Sequence, residues 1–117
     1  MARFAVEKTY FRADGTARHN AFMPLAGEVS VFRIDAMQEV AIWSLGRDEV
    51  AAPRGKPLLA RLELTAGEVR GKTLDVLSAE PPLRHANIVG FPNEPDAIKQ
   101  LALELAEIAR VWRAPPM

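Results

Sequence analysis

The protein has 117 residues, of which 49% are hydrophobic and 26% charged, a mixture suited to one domain with its own core and unlike a disordered chain. Fifteen Lys and Arg balance fifteen Asp and Glu, with eight cationic and seven anionic residues through position 60 and the reverse after it, so neither half is the polybasic tail that non-specific nucleic-acid binding relies on. The absence of Cys removes disulfides and thiol chemistry.

No apolar run approaches the roughly 20 residues a membrane span needs, and "MARFAVEKTYF" lacks the apolar stretch of a secretory signal. A cytoplasmic protein that does not bind membranes is the expectation.

In chain order, residues 3–12 alternate loosely and carry Val, Thr, Tyr and Phe, which predicts an opening strand ended by the Asp14-Gly15 turn signal. Residues 27–35 predict a second strand, with Val29, Val31 and Arg33 on one face and Ser30, Phe32 and Ile34 on the other, both at least partly covered. Asp35 can cap a helix over 36–45 whose apolar residues are Met37, Val40, Ala41 and Leu45, and Gly46 sits where that helix would end. Residues 47–57 contain Gly and two Pro and are expected to form the longest irregular connection, a mobile loop.

Residues 58–65 alternate Ala60, Leu62 and Leu64 against Leu59, Arg61 and Glu63, as a half-buried strand does. Thr65 and Glu68 stand at capping-box spacing, followed by a helical turn. Strands are expected over 72–80, stopped by Pro81 and Pro82, and over 85–91. Asn93 can cap a last helix from 94 to about 113, with Ile98, Leu101, Ala102, Leu105, Ile108, Ala109 and Trp112 on one face and Lys99, Gln100, Glu104, Glu107 and Arg110 on the other. Residues 114–117 should be a loose tail beyond a single domain of 1–113.

The sum is an α+β fold: a mostly antiparallel sheet of about five strands, the C-terminal amphipathic helix packed on one face, and a short helix after the second strand. Whether the sheet stays open or curls strongly toward a barrel is left undecided by the pattern.

Chemical signatures are sparse. There is no Gly-rich phosphate loop, no His pair at i and i+4 and no nucleophile elbow. His19 and His85 are the only histidines, which gives no ligand cluster for a metal, and no cofactor is expected.

Both histidines follow an arginine, in "ARHNAFMP" and "PLRHANIVGFP". If the two blocks enter one edge of a sheet, His19 and His85 become candidate acid and base, with their rings within roughly 10 Å. Arg18, Arg33 and Arg84 become candidate holders of phosphate or carboxylate, and Asn20 and Asn87 further ligand contacts. The 2H phosphoesterases use two His-x-Ser/Thr blocks in this manner, but Ala21 and Asn87 stand where the hydroxyls belong, so that comparison fails.

The bland readings run alongside. Each His can be a strand-end residue bonded to backbone, Arg33 can pair with Asp35 or Glu63, and Trp43 and Trp112 can be core. Residues 47–57 can be a solvated loop, or Arg54, Gly55 and Lys56 can close it over an anion.

"AFMPLAGEVSVFRI", "IWSLG" and "PPLRHANIVGFP" followed by an Ala/Leu-rich helix resemble a group of small bacterial proteins without an established activity, over roughly residues 18–110. The resemblance implies a bacterial or phage-linked origin and supplies no catalytic residues. Two functions from different classes remain. The favoured one is a non-catalytic binding or accessory protein of a bacterial defence, toxin-antitoxin or mobile-element system, acting on another protein or by self-association. The other is a small enzyme acting on a phosphate-containing substrate, nucleotide or RNA, through His19 and His85.

Overall fold

The computed structural model describes residues 1–116. Its frame is one open sheet of six antiparallel strands, β1 (Ala2–Ala5), β2 (Val29–Phe32), β3 (Ala60–Glu63), β4 (Asp75–Ser78), β5 (His85–Val89) and β6 (Arg110–Arg113), in the order β4-β5-β2-β1-β3-β6. The expected α+β class is what the chain adopts, with one strand more than anticipated.

The opening strand is shorter than the alternation of 3–12 implies, because a 3₁₀ turn takes over at Lys8–Tyr10 and a second follows at His19–Phe22. β1 meets β2 at a single pair, Ala2 with Phe32, while it pairs with β3 along its whole length. Beyond that pair β1 and β2 separate, and Arg3 fills the split. Its guanidinium donates to the carbonyls of Ala21 at 2.8 Å and Ser30 at 3.1 Å and to the Tyr10 hydroxyl at 3.1 Å. The Ser30 carbonyl thus gains a donor that no neighbouring strand supplies there, which a partly buried backbone oxygen requires.

Strand alternation sorts the core onto the two faces. Val29, Val31, Leu62, Ala86 and Ile88 point to one side, where they meet Phe22 and the helix α4 (Pro95–Ile108) through Ala102 and Leu105. Phe4, Phe32 and Ile34 point to the other, where Ile42 of the helix α1 (Glu39–Gly46) covers them. Both faces of β2 are therefore occupied, as its near-continuous apolar sequence implies.

Three expectations are corrected. The helix after β2 starts at Glu39 rather than behind Asp35, and buries Ile42 and Trp43 while Val40 is exposed. It does not stop at Gly46: it continues as a π-helical stretch over Arg47–Ala51 and a last α-helical turn, α2 (Ala52–Arg54), ending only at Gly55 in the left-handed region. Most of the presumed loop is thus helix. Gly46 is there because a Cβ would stand 2.5 Å from a Phe4 ring carbon and 2.9 Å from Leu58, so glycine permits the close crossing rather than terminating the helix. Lys56, held by Glu7, joins this segment's end to the chain after β1.

The helix α3 (Ala66–Arg70) carries the expected capping box: the Thr65 hydroxyl accepts from the Glu68 N–H at 3.0 Å, and Glu68 accepts from the Thr65 N–H at 2.8 Å. β4 is an exposed edge strand. The last helix has Glu94, not Asn93, at its N-cap position, with no side-chain capping hydrogen bond; it starts at Pro95 and ends at Ile108. Residues 110–113 are β6, with Val111 opposite Leu62 and Trp112 opposite Arg61. Ala114 still donates to the Leu59 carbonyl at 2.9 Å, so the tail begins as an extension of that ladder, while Pro115 and Pro116 are exposed and Met117 lies outside the described residues. No helix among the described residues is long and apolar enough to cross a membrane.

Arg110 also donates to both Glu68 oxygens, at 3.0 and 3.2 Å. That contact, and behind it the Thr65 N–H, pulls the Glu68 carboxyl down from 4.5 to about 2. A depressed carboxylate contributes stability above its unfolded value and loses it as pH falls through the folded one. The Arg110→Ala protein should therefore lose less than about 1 kcal/mol at neutral pH, as for exposed ion pairs in general. Its urea midpoint should then fall less steeply than that of the parent between pH 4.5 and about 2. Parallel pH profiles of the two proteins would show the pair to be inert.

Candidate functional site

The two Arg-His blocks do not meet. His19 opens the second 3₁₀ turn, which packs on α4, and lines a hollow there with Arg12, Leu103 and Glu107. His85 opens β5 beside Phe32, ring centroids 5.3 Å apart, on the face that carries Phe4 and α1. The sheet lies between them. One substrate cannot touch both imidazoles, so the shared acid-base site anticipated from the repeated motif is not formed; the register of β5 sends His85 to the face opposite that turn.

Each remaining candidate has a definite place. Arg18 is exposed and its N–H bonds the Tyr10 carbonyl. Asn20 holds its side-chain oxygen buried with no partner. Asn87 donates to Glu28 at 2.9 Å.

Arg33 and Arg84 do come together, around Glu80. Arg33 Nη2 donates to Glu80 at 2.8 Å, as does the Arg84 N–H. Arg84 adopts a positive φ of 72°, and its guanidinium donates to the carbonyls of Arg33 and Asp35. Arg33 thus pairs with Glu80 rather than with Asp35 or Glu63, and the two guanidiniums tie the loop before β5 to the end of β2. Arg33 Nε is buried and unpartnered.

A concavity of about 700 Å³ opens where β2 and β3 run on past Met1. Ile34 and Ile42 from one face of the sheet and Val76 and Ala86 from the other are its apolar lining. Glu39 and Glu63 form the wall around Arg61, and Arg33, Arg70, Asp35, Trp112 and Met1, whose ammonium is attracted by Glu63 and Asp35, complete the lining. The carboxylates that neutralise Arg33 and Arg70, namely Glu80 and Asp75, are not part of the lining, whereas Glu39 and Glu63 share the single Arg61. The cleft thus presents charges of both signs beside its apolar residues.

Arg61 organises that wall. It is 2% exposed and donates to both oxygens of Glu39, at 2.9 and 2.6 Å, and to Glu63 at 2.7 Å. Its guanidinium lies between two indoles, 4.7 Å from the centre of Trp43 and 5.6 Å from that of Trp112. Burial works against its charge, but the hydrogen bonds it donates to Glu39 and Glu63 outweigh that and raise its pKa. Trp43 is core as expected. Trp112, expected to be core, is 51% exposed because it stands on the edge strand β6.

Sequence reasoning placed Arg61 and Glu63 on one face of a strand but gave them no site. Glu39, Arg70 and Trp112 carried no signal, since each depends on which strand lies beside which. Comparison with known protein families, with characterised proteins and with solved structures finds no match to this chain, so the resemblance to a bacterial group stands on its quoted blocks alone.

Proposed function

We propose that the protein is a binding or accessory protein that receives a segment of a partner protein in the cleft between the ends of β2 and β3, α1, α3 and β6. The observation that carries this reading is a cleft whose lining combines charges of both signs with apolar residues. Opposed charges fix the orientation of a bound chain and reject wrong partners more than they add affinity, while the apolar residues supply hydrophobic contact. A nucleic acid is poorly served by a lining with three carboxylates. The separation of His19 from His85 speaks against a two-histidine phosphodiester enzyme.

Arg70 and Asp35 are both exposed, so changing them leaves the core intact. Panning a random peptide library against the protein should enrich segments that carry an acidic and a basic residue flanking apolar ones. The double variant Arg70→Glu, Asp35→Lys should bind those segments at least about tenfold more weakly, a loss of about 1.4 kcal/mol, and should prefer segments with the charges exchanged. Selected peptides that bind both proteins equally would remove the cleft from the reading. If the enriched sequence matches a stretch of this chain, the partner is a second copy, and sedimentation of the parent and the variant will show association only in the parent.

A further inference from the structure

We propose a second site, beside the cleft on the face of β2 and β5 that carries Phe32, in which Ser30 and His85 act as nucleophile and base toward carboxylic esters with a short acyl group. Ser30 Oγ stands 2.6 Å from His85 Nε2, and His85 Nδ1 stands 2.9 Å from the Ala79 carbonyl oxygen. A carbonyl only accepts, so the neutral ring carries its proton on Nδ1 and presents a bare Nε2 lone pair to the serine. The Ser30 hydroxyl then donates to His85. This is the arrangement of an activated hydroxyl: nucleophile on base, and base oriented by a third group.

The sheet register creates it. Ser30 lies opposite Asn87 and Phe32 opposite His85, so Ser30, His85 and Asn87 share one face, and the imidazole reaches diagonally from β5 to β2. Phe32 packs on the ring and Ala79, the residue that follows β4, supplies the carbonyl, so the base is fixed on two sides.

Next to the pair a hollow of about 170 Å³ is lined by Ser30 and Asn87, the cations Arg3 and Arg54, Glu28, and the apolar Met23 and Leu25. Its size suits an acyl group of a few carbons. Met23 and Leu25 are 39% and 86% exposed and give it an apolar rim. Arg54 offers N–H donors for an oxyanion, and the Asn87 amide, which gives one hydrogen to Glu28, has a second to offer.

In the first half-reaction Ser30 Oγ bonds to the ester carbonyl carbon as its proton passes to His85 Nε2. The tetrahedral adduct collapses with cleavage of the bond to the leaving oxygen, which takes the proton from His85 and departs as an alcohol. Water, giving a proton to the same nitrogen, then attacks the acyl-serine. The carboxylic acid leaves, and Ser30 recovers its hydrogen.

The test is to incubate the full-length protein with a fluorophosphonate probe and, separately, with p-nitrophenyl acetate. Phosphonylation with loss of fluoride should map to Ser30, be absent in Ser30→Ala, and slow by about 10² or more in His85→Gln, with ester hydrolysis falling in step. A parent protein left unlabelled while a serine esterase beside it reacts fully, or labelling that persists in Ser30→Ala, would overturn the proposal. A lowered melting temperature in Ser30→Ala without labelling of the parent would show the hydrogen bond to be structural only. The chain has no cysteine, so Ser30→Cys offers a single thiol. It should alkylate with iodoacetamide faster than free cysteine at neutral pH, and a rate no greater than that of free cysteine would remove His85 as the base.

Discussion

Leu105→Asp should abolish stable folding or lower the melting temperature by roughly 15–25 °C. Leu105 is fully buried, in the middle of α4, within the cluster that joins Phe22, Val31, Leu62 and Ile88. Removing its packed methyl groups costs about 2–5 kcal/mol by analogy with large-to-small changes in other cores, and the carboxylate put in their place has no cation beside it and must bind a proton or expose itself. Against a total stability of about 5–15 kcal/mol, that loss is most or all of the margin. Glu104 is the control on the neighbouring position. Its partners are Gln100 at 3.2 Å and Lys72 at 3.3 Å on a partly exposed surface, so Glu104→Ala should change stability by less than about 0.5 kcal/mol. Thermal melts of both variants decide the matter, and a cooperatively folded Leu105→Asp protein with the parent's melting temperature would mean that α4 does not dock through this face.

The same helix shows why its end was misplaced. Ile108, Ala109 and Trp112 continue the i, i+3, i+4 series, while Arg110, Val111, Trp112 and Arg113 show no alternation that would mark a strand. What decides is a partner at a distance: Leu62 and Arg61 of β3 stand opposite Val111 and Trp112. Gly46 is the mirror case. Sequence logic treats a glycine after an apolar run as a terminator, whereas here it removes a Cβ from the path of Phe4 so that the helix can pass β1 and go on. Elements that depend on local chemistry alone were legible, notably the Thr65–Glu68 capping box and the apolar centre of α4.

The sites were legible only as single residues. The repeated Arg-His blocks suggested one site, yet the identical dipeptide enters a 3₁₀ turn in one place and a strand in the other, and strand alternation then sends the histidines to opposite faces. His85 is tied to backbone as the bland reading had it, but it also bonds Ser30, and nothing in the linear order of residues sets Ser30 diagonal to it. The register between β2 and β5 does that, and register is fixed by the whole pattern of apolar residues on a sheet rather than by any one motif.

The second large effect is expected at Arg61. Its two carboxylate partners are unequal, since the Glu39 side chain is 67% exposed and that of Glu63 only 24%. In Arg61→Ala, Glu39 regains water at small cost, so the full penalty of about 3–5 kcal/mol for orphaning a buried charge does not apply. What is lost instead is the filling between Trp43 and Trp112 and the tether from α1 to the sheet. We expect a loss of about 2–4 kcal/mol at neutral pH, with a red shift of indole fluorescence as water reaches the buried ring of Trp43, one of the two tryptophans in the chain.

Acid separates the two contributions. The hydrogen bond from Arg61 holds the Glu39 carboxyl below its usual value of 4.5, so this carboxylate stabilises the fold above that pH and ceases to as pH falls through the lowered value. The gap between parent and Arg61→Ala should therefore narrow on acidification below pH 4.5, leaving only the part that comes from packing. Arg61→Met, which fills the space between the rings without a charge, should recover much of that residual part and none of the pH dependence. A gap that stays constant down to pH 3 would mean that Arg61 acts as a spacer between two indoles and that its ion pairs contribute nothing to the fold.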